Sequence, residues 1–345
     1  MMKKIYLYIA TLFVYQDFDL ESYRTAPKIV MKGNVISETD GVYIHLSESW
    51  FVTDKPKADS LIGATVCLYV NDLPGKQMQY AGKGIYYGQH KKFNPGDCVR
   101  VVASAKGFSD IQAETTLPSL TTLEHVSFVP ENNTNGSVNM NISATFTDIS
   151  NVKNYYGLLV YAETAYWDEN EELPCFYPYT TTINKENEPL FTSSYSILDD
   201  MFMDGSDSQA SGIMIFDDEK ISGQTYTFHI KESNFLTGMM ESCDSVNMVL
   251  PKMDEGYYSH EYIRYAIEFY TLSEEYYNYL RSLEMLRDDD LANSGFAQPV
   301  KPYSNVLGGL GYLGAYSRYK TEYFYRLPVK LYLHPRSRFL LPDHF

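Results

Sequence analysis

The chain has 345 residues, with 28 Lys and Arg against 44 Asp and Glu, a formal net charge of −16 on a sequence that is 44% hydrophobic and 21% charged. That composition excludes general disorder, and at roughly 150 residues per domain it allows about two domains with cores of their own. The missing basic block excludes nucleic acid and anionic membrane surfaces as partners, since both need clustered Lys and Arg to neutralise phosphate.

Met1 to Lys4 is a short basic stretch, and Ile5 to Tyr15 is an apolar run that stops at Gln16 and the acidic segment DFDLE. Residues 1–15 therefore read as a signal-peptide-like leader, too short for the ~20 residues a bilayer span needs. Neither an A-x-A site nor a Cys follows the apolar run. The expectation is an exported protein without a transmembrane span, with residues 16–27 as a linker.

From residue 28 to 118 short β-type runs alternate with turn chemistry: KIVMKGNVI, VYIHLSES, ATVCLYV, the turn NDLPGK, GIYYG, NPGD, CVRVVASA and ETTLP. This spacing predicts an immunoglobulin-like or transthyretin-like β-sandwich, with TLPSLTTLE as the linker to a second domain. Cys67 and Cys98 fall on the more polar faces of two nearby strands, where an exported protein rarely leaves two thiols unpaired. A Cys67–Cys98 bridge and two independent thiols both remain open, and Cys175 and Cys243 complete the four cysteines.

Residues 119–345 form a second, larger β-rich domain with clear strands in SVNMNISATFTD, NYYGLLVYAE, SGIMIF and GQTYTFHIKE, separated by long polar loops. One segment breaks the pattern. In LSEEYYNYLRSLEMLRDDD, Ser273 can cap a helix and Glu274 and Glu275 favour its N-terminal end. Leu272, Tyr276, Tyr279, Leu280, Leu283 and Leu286 form an apolar stripe, which predicts an amphipathic helix near 272–287 packed on a sheet. The fold class expected is mainly β, with two separate cores meeting near residues 119–125 and no sheet shared between them. Tyr outnumbers Phe and Trp, 32 against 18 and 2. Tyr suits half-exposed strand positions, and a sharper reading makes it an aromatic face for sugars or peptides.

Chemistry-bearing motifs are few. The seven histidines, His45, His90, His125, His229, His260, His334 and His344, show no H-E-x-x-H and no i, i+4 pair, and there is no G-x-S-x-G. Ser317 to Lys320 matches S-x-x-K without its companion motifs. Asp204, Asp207, Asp217 and Asp218 are the weak Ca²⁺ candidates, lacking EF-hand order, with solvated loop charge as the default. No catalytic residue and no cofactor is expected.

The C-terminal run FAQPVKPYSNVLGGLGYLGAYS carries Ser304, Asn305 and Val306, then Gly308, Gly309, Gly311 and Gly314 with Tyr312 between them. It lacks the G-K-[ST] ending of a phosphate loop, and its glycines are spaced for turns or close backbone approach, so a structural role is expected. Together with EEYYNYLRSLEM, DFDL followed by KIVMKGNVI, TFTDISNVKNYYGL and FDDEKISGQTYTFHI, this run resembles a Bacteroidota family known as domain of unknown function 4249. The resemblance spans nearly the whole chain after the leader. It implies an exported, usually lipidated cell-envelope protein, often encoded beside TonB-dependent outer-membrane transporters, with no established catalytic residue. Family leaders end in a lipid-acceptor Cys, whereas Tyr15, Gln16 and Asp17 stand here.

The functional expectation is a non-enzymatic binding or accessory protein, periplasmic or at the cell surface, with an outer-membrane transporter as partner and a small ligand, glycan or peptide as cargo. The alternative is a secreted carbohydrate- or peptide-active hydrolase using acidic residues of the second domain.

Overall fold

The structure is a computed structural model and describes residues 24–51, 53–54, 61–71, 73–132, 138–166, 175–179, 181–184, 188–191, 213–234, 258–287 and 301–333. The leader, Cys243, Asp204, Asp207, His334 and His344 lie outside them. The described chain is mainly β with one helix, as the alternation of its sequence implies.

The first region begins with β1 (Ile29–Ile36) and β2 (Gly41–Glu48), followed by β3 (Thr65–Val70), β4 (Lys76–Gln77), β5 (Gln79–Gly82), β6 (Ile85–Gln89), β7 (Cys98–Ser104) and β8 (Ile111–Thr116). Strict period-2 alternation sets which side is buried: in β2, Val42, Ile44 and Leu46 point inward while Tyr43 and His45 point out. The inward rows of β1, β2 and β6 meet those of β3, β7 and β8 in an almost wholly aliphatic core, with Met31, Ile44, Leu46, Val66, Val99 and Val101 fully buried. Burying each such side chain contributes ~1.5–3 kcal/mol. This is a two-layer sandwich.

The second region comprises β9 (His125–Asn132), β10 (Val138–Thr147), β11 (Tyr155–Tyr166), β12 (Cys175–Tyr179), β13 (Thr181–Asn184), β14 (Met214–Asp217), β15 (Thr225–Asn234), β16 (Tyr258–Leu272) and β17 (Leu310–Leu333). Its core is aromatic. Phe146 from β10, Phe228 from β15, Tyr156 from β11, Phe216 from β14 and Phe269 from β16 interlock, with the Phe146 and Phe228 rings stacked at 5.4 Å. Leu117 belongs to the first core and Leu123 to the second, so the chain passes between cores within TLPSLTTLE.

The sheet itself does not respect that division. One nine-stranded sheet runs β12-β11-β16-β17-β1-β2-β6-β5, with β14 also paired to β11, and carries one layer of both sandwiches. The opposing layers are β13-β15-β10-β9 and β4-β3-β7-β8. The expectation of separate sheets is therefore corrected, although the apolar cores are distinct. The cause is β17. Its first residues pair in parallel with β1, Val30 opposite Leu310 through Ile36 opposite Tyr316, and from Tyr316 onward it runs antiparallel to β16.

Helix α1 (Glu274–Arg287) lies on the outer face of this sheet, where Tyr276, Tyr277, Tyr279 and Leu280 cover Tyr270, Leu272 and Tyr312. Ser273 caps it: its Oγ accepts the Tyr276 N–H at 3.3 Å and its carbonyl accepts the Tyr277 N–H at 3.0 Å. The same Oγ accepts from the Ala315 N–H at 3.1 Å and from the Thr115 hydroxyl at 3.0 Å, so one side chain fastens the helix to β17 and β8. Among the described residues no helix is long and apolar enough to cross a membrane.

Candidate functional site

Among the described residues, helix α1 divides the outer face of the large sheet into two wings of different chemistry. On the first wing, the outward rows of β2, β5 and β6 bring together Tyr43 and Tyr87, opposite each other in the antiparallel register, with Gln79 opposite Tyr87 and Gln89 opposite Gly41. The two tyrosine rings stand 4.8 Å apart, and Tyr43 is 44% exposed. A cleft of about 500 Å³ opens beside them, lined by Lys76, Gln77, Gln79, Tyr87, Gln89, His90 and Lys91. The absence of a side chain at Gly41 lets the Tyr87 ring lie across the strand, since a Cβ there would stand 2.5 Å from the ring. The Tyr87 hydroxyl donates to the Asp40 carbonyl at 3.3 Å, and His90 stacks on the buried Phe93 at 4.8 Å. Partial burial, then the nearby Asp40 charge, raises the Tyr87 pKa, so the phenol keeps its proton at neutral pH.

On the second wing a ladder of alternating charges crosses β11, β16 and β17. Arg264 donates from both Nε and Nη2 to Glu163, its direct cross-strand neighbour, and from Nη1 to Glu322 at 3.4 Å. Lys320 bridges Glu322 at 3.0 Å and Glu268 at 3.8 Å, and Arg318 reaches Glu268 at 3.4 Å. Glu268 also accepts from the Tyr161 and Tyr270 hydroxyls. Burial, then the Glu268 charge, raises the pKa of both phenols. Glu163 and Glu268 are nearly inaccessible while Arg318 is 46% exposed in its side chain, so the cations face outward and neutralise acids beneath them.

Two further acids lie inside the second sandwich. Glu188 accepts from the Tyr226 hydroxyl at 2.9 Å and from the His229 N–H. Glu232, on the inward face of β15 opposite Met140 and Ile183, is fully buried, and neither carboxyl oxygen makes a well-formed hydrogen bond. Burial pushes its pKa up to about 8, with the Tyr265 hydroxyl offsetting part of the shift.

The residues singled out by sequence fall elsewhere. Asn305 Nδ2 donates to the carbonyls of Glu114 and Leu313 at 3.0 and 2.9 Å, its Oδ1 accepts the Leu313 N–H at 3.0 Å, and Ser304 Oγ accepts the Val306 N–H at 3.3 Å. Asn305 thus takes the place of a peptide group between β8 and β17. Gly311 sits at φ 94° directly against the Met31 carbonyl, leaving no room for a Cβ in the parallel pairing with β1. Gly308, Gly309 and Gly314 are similarly pressed against Asp110, Ile29 and Tyr276. Tyr312 stacks on Tyr279 at 3.9 Å, and its hydroxyl accepts from Asn34 at 3.3 Å. The run is the joint between β1, β8 and α1.

Asp217 faces Lys153 at 3.5 Å and accepts the Glu219 N–H, while buried Asp218 accepts the Asn154 N–H at 2.9 Å. Both carboxylates close a turn. Among the described residues no group of three or more His, Cys, Asp or Glu could hold a metal ion. Ser317 and Lys320 point to opposite faces of β17: Ser317 is buried and donates to the Pro118 carbonyl at 2.7 Å, and Lys320 belongs to the charge ladder.

The Cys67–Cys98 bridge is corrected by register. Cys67 lies opposite Val102 and Val70 opposite Val99, which sets Cys98 four residues further along, or ~13 Å, on the same face. A disulfide needs Cα atoms within ~7 Å.

The charge ladder escaped sequence reasoning because it joins residues far apart in the chain; the cleft is lined by residues 76–91, and its shape depends on the β5–β6 hairpin and on Tyr43 arriving beside it through the β2–β6 pairing. The signal present was the spacing of Arg264 and Glu268, and of Arg318, Lys320 and Glu322, on one face of two otherwise aromatic strands. No curated protein matches the chain. The profile of the family described as domain of unknown function (DUF4249) matches residues 15–322, which takes in both sandwiches, the helix and the glycine-rich joint, and the chain belongs to that family.

Proposed function

We propose that this chain is a non-enzymatic binding protein of the cell envelope that presents a ligand, or itself, to a TonB-dependent outer-membrane transporter. The observation that carries the binding reading is the first-wing cleft. It combines an aromatic ring, three amides and two ammonium groups, a lining suited to holding a polar ligand, and among the described residues none that lines it is a carboxylate that could serve as general acid or nucleophile. The resemblance to exported, usually lipidated Bacteroidota proteins supports the envelope location, the transporter partner and attachment to the outer membrane.

A hydrolase working through acidic residues of the second domain is the competing reading, and among the described residues Glu163 and Glu268 are the paired acids of the charge ladder. Both are engaged by cations that lie between them and solvent, which opposes a free general acid there. Native pull-down from outer membranes, with and without a salt wash, tests the proposal. Recovery of a TonB-dependent transporter supports it; a chain that recovers no envelope protein and cleaves a glycan or peptide overturns it.

A further inference from the structure

We infer that the first-wing cleft takes an acidic oligosaccharide, one whose sugar rings carry carboxylate or sulfate groups. The inference rests on the binding-protein reading and deepens it. Its volume, about 500 Å³, is that of a site for a ligand of a few rings. The lining reverses the charge of the molecule: on a chain of net charge −16, this cleft holds Lys76 and Lys91 beside His90, and among the described residues no carboxylate lines it, Asp40 standing behind the Tyr87 hydroxyl. The two ammonium groups therefore attract an anion to this cleft against the net negative charge of the molecule.

The remaining lining residues supply the saccharide part. Gln77, Gln79 and Gln89 each offer a planar amide with a donor and an acceptor, which matches adjacent hydroxyls on a sugar ring. Tyr87, tilted at 36° beside the exposed Tyr43, gives a ring face against which the C–H face of a pyranose can lie. The Tyr87 phenol is already committed as a donor to Asp40, which fixes the ring in place. An extended peptide would need apolar pockets for alternate side chains, and the cleft lining is polar apart from that ring.

The test is titration calorimetry of the whole chain with hexagalacturonate and with a heparin hexasaccharide, beside neutral cellohexaose and hexaglutamate as comparison probes. The expected result is binding of at least one acidic oligosaccharide, weakened about tenfold or more by the double variant Lys76→Gln and Lys91→Gln. Lys106→Gln, which removes the same charge from the exposed turn between β7 and β8, leaves that binding unchanged. The binding also weakens between about 50 mM and about 500 mM salt. Equal affinity for cellohexaose overturns the acidic class, and equal affinity for hexaglutamate overturns the saccharide; in both cases the cleft is still a binding site and the broader reading survives. Failure of both acidic oligosaccharides to bind overturns the inference, while the membrane pull-down judges the broader reading by itself.

Discussion

The two sandwiches share a sheet yet solve the problem of burial differently. The first fills its interior with Ile, Val, Leu and Met in strict alternation and places its polar chemistry on the outer face. The second packs a cluster of aromatic rings and also buries Glu163, Glu188, Glu232 and Glu268 in or on its layers. Aliphatic side chains are shaped to fit a thin sandwich, whereas aromatic rings bring hydroxyls that need acceptors. Carboxylates at Glu188 and Glu268 receive those hydroxyls. The lesson is that the Tyr-rich half is stabilised by a coupled system of rings, phenols and acids, and the aliphatic half chiefly by buried apolar area, with Tyr86 and its two backbone hydrogen bonds as the one phenol among its described core residues.

Breaking each core tests this contrast with the largest effects. Phe146→Ala removes a ring that touches Tyr156, Phe216, Phe228 and Phe269, and it should cost about 4 kcal/mol in denaturant unfolding, against about 3 kcal/mol for Ile44→Ala in the aliphatic core. Equal or reversed costs would remove the idea that the rings act as a unit. Gly311→Ala strikes the seam between the halves by forcing a Cβ into the Met31 carbonyl at a positive φ, and a loss of about 3 kcal/mol is expected. A variant within about 1 kcal/mol of the parent, the size of an ordinary exposed change, would mean that the β1–β17 pairing tolerates a shift.

The buried acid gives a pH dependence. With its pKa raised from 4.5 to about 8, Glu232 leaves the folded state at full stability below pH 4.5 and withdraws stability as pH rises towards 8, because the folded protein holds this proton while the unfolded chain releases it. Among the described residues its cross-strand neighbour Met140 offers no charge in compensation, and Tyr265 offers only a phenol. Replacing Glu232 with Gln should therefore gain about 2 kcal/mol on the parent between about pH 5 and about pH 8.5, read as the difference of their urea midpoints. Parallel profiles for the two proteins would sink the assignment. The smallest effect is expected at Ser273→Ala, about 1 kcal/mol from the lost cap, with loosening of α1 over the sheet detected by hydrogen exchange at Tyr276 and Tyr277.

Much of the local structure was legible. β1, β2, β3, β7 and β8 announced themselves through period-2 alternation, and α1 through Ser273, its acidic first turn and its stripe of Tyr and Leu. β16 and β17 did not. Their outward faces carry Tyr270, Tyr312 and Tyr316 under the helix and Arg264, Glu268 and Lys320 beyond it, so apolar and charged residues succeed one another on the same face and the alternation is lost. The cleft was legible only as an excess of tyrosine. Lys76, Gln77 and Gln79 are near neighbours in the chain and meet Tyr87 through a hairpin, but Tyr43 comes beside them only across the β2–β6 pairing.

What the sequence by itself determined was the class of fold, the caps and turns, and the inward and outward rows of most strands, because these depend on propensity and on the period of a strand or helix within a few residues of chain. The parallel contact of β1 with the start of β17, the separation of Cys67 from Cys98 by four positions on one face, and the meeting of Glu163 with Arg264 were decided only by tertiary structure. Each depends on a register between segments up to 280 residues apart, and register is set by how whole rows of side chains fit together, a quantity that no local pattern carries.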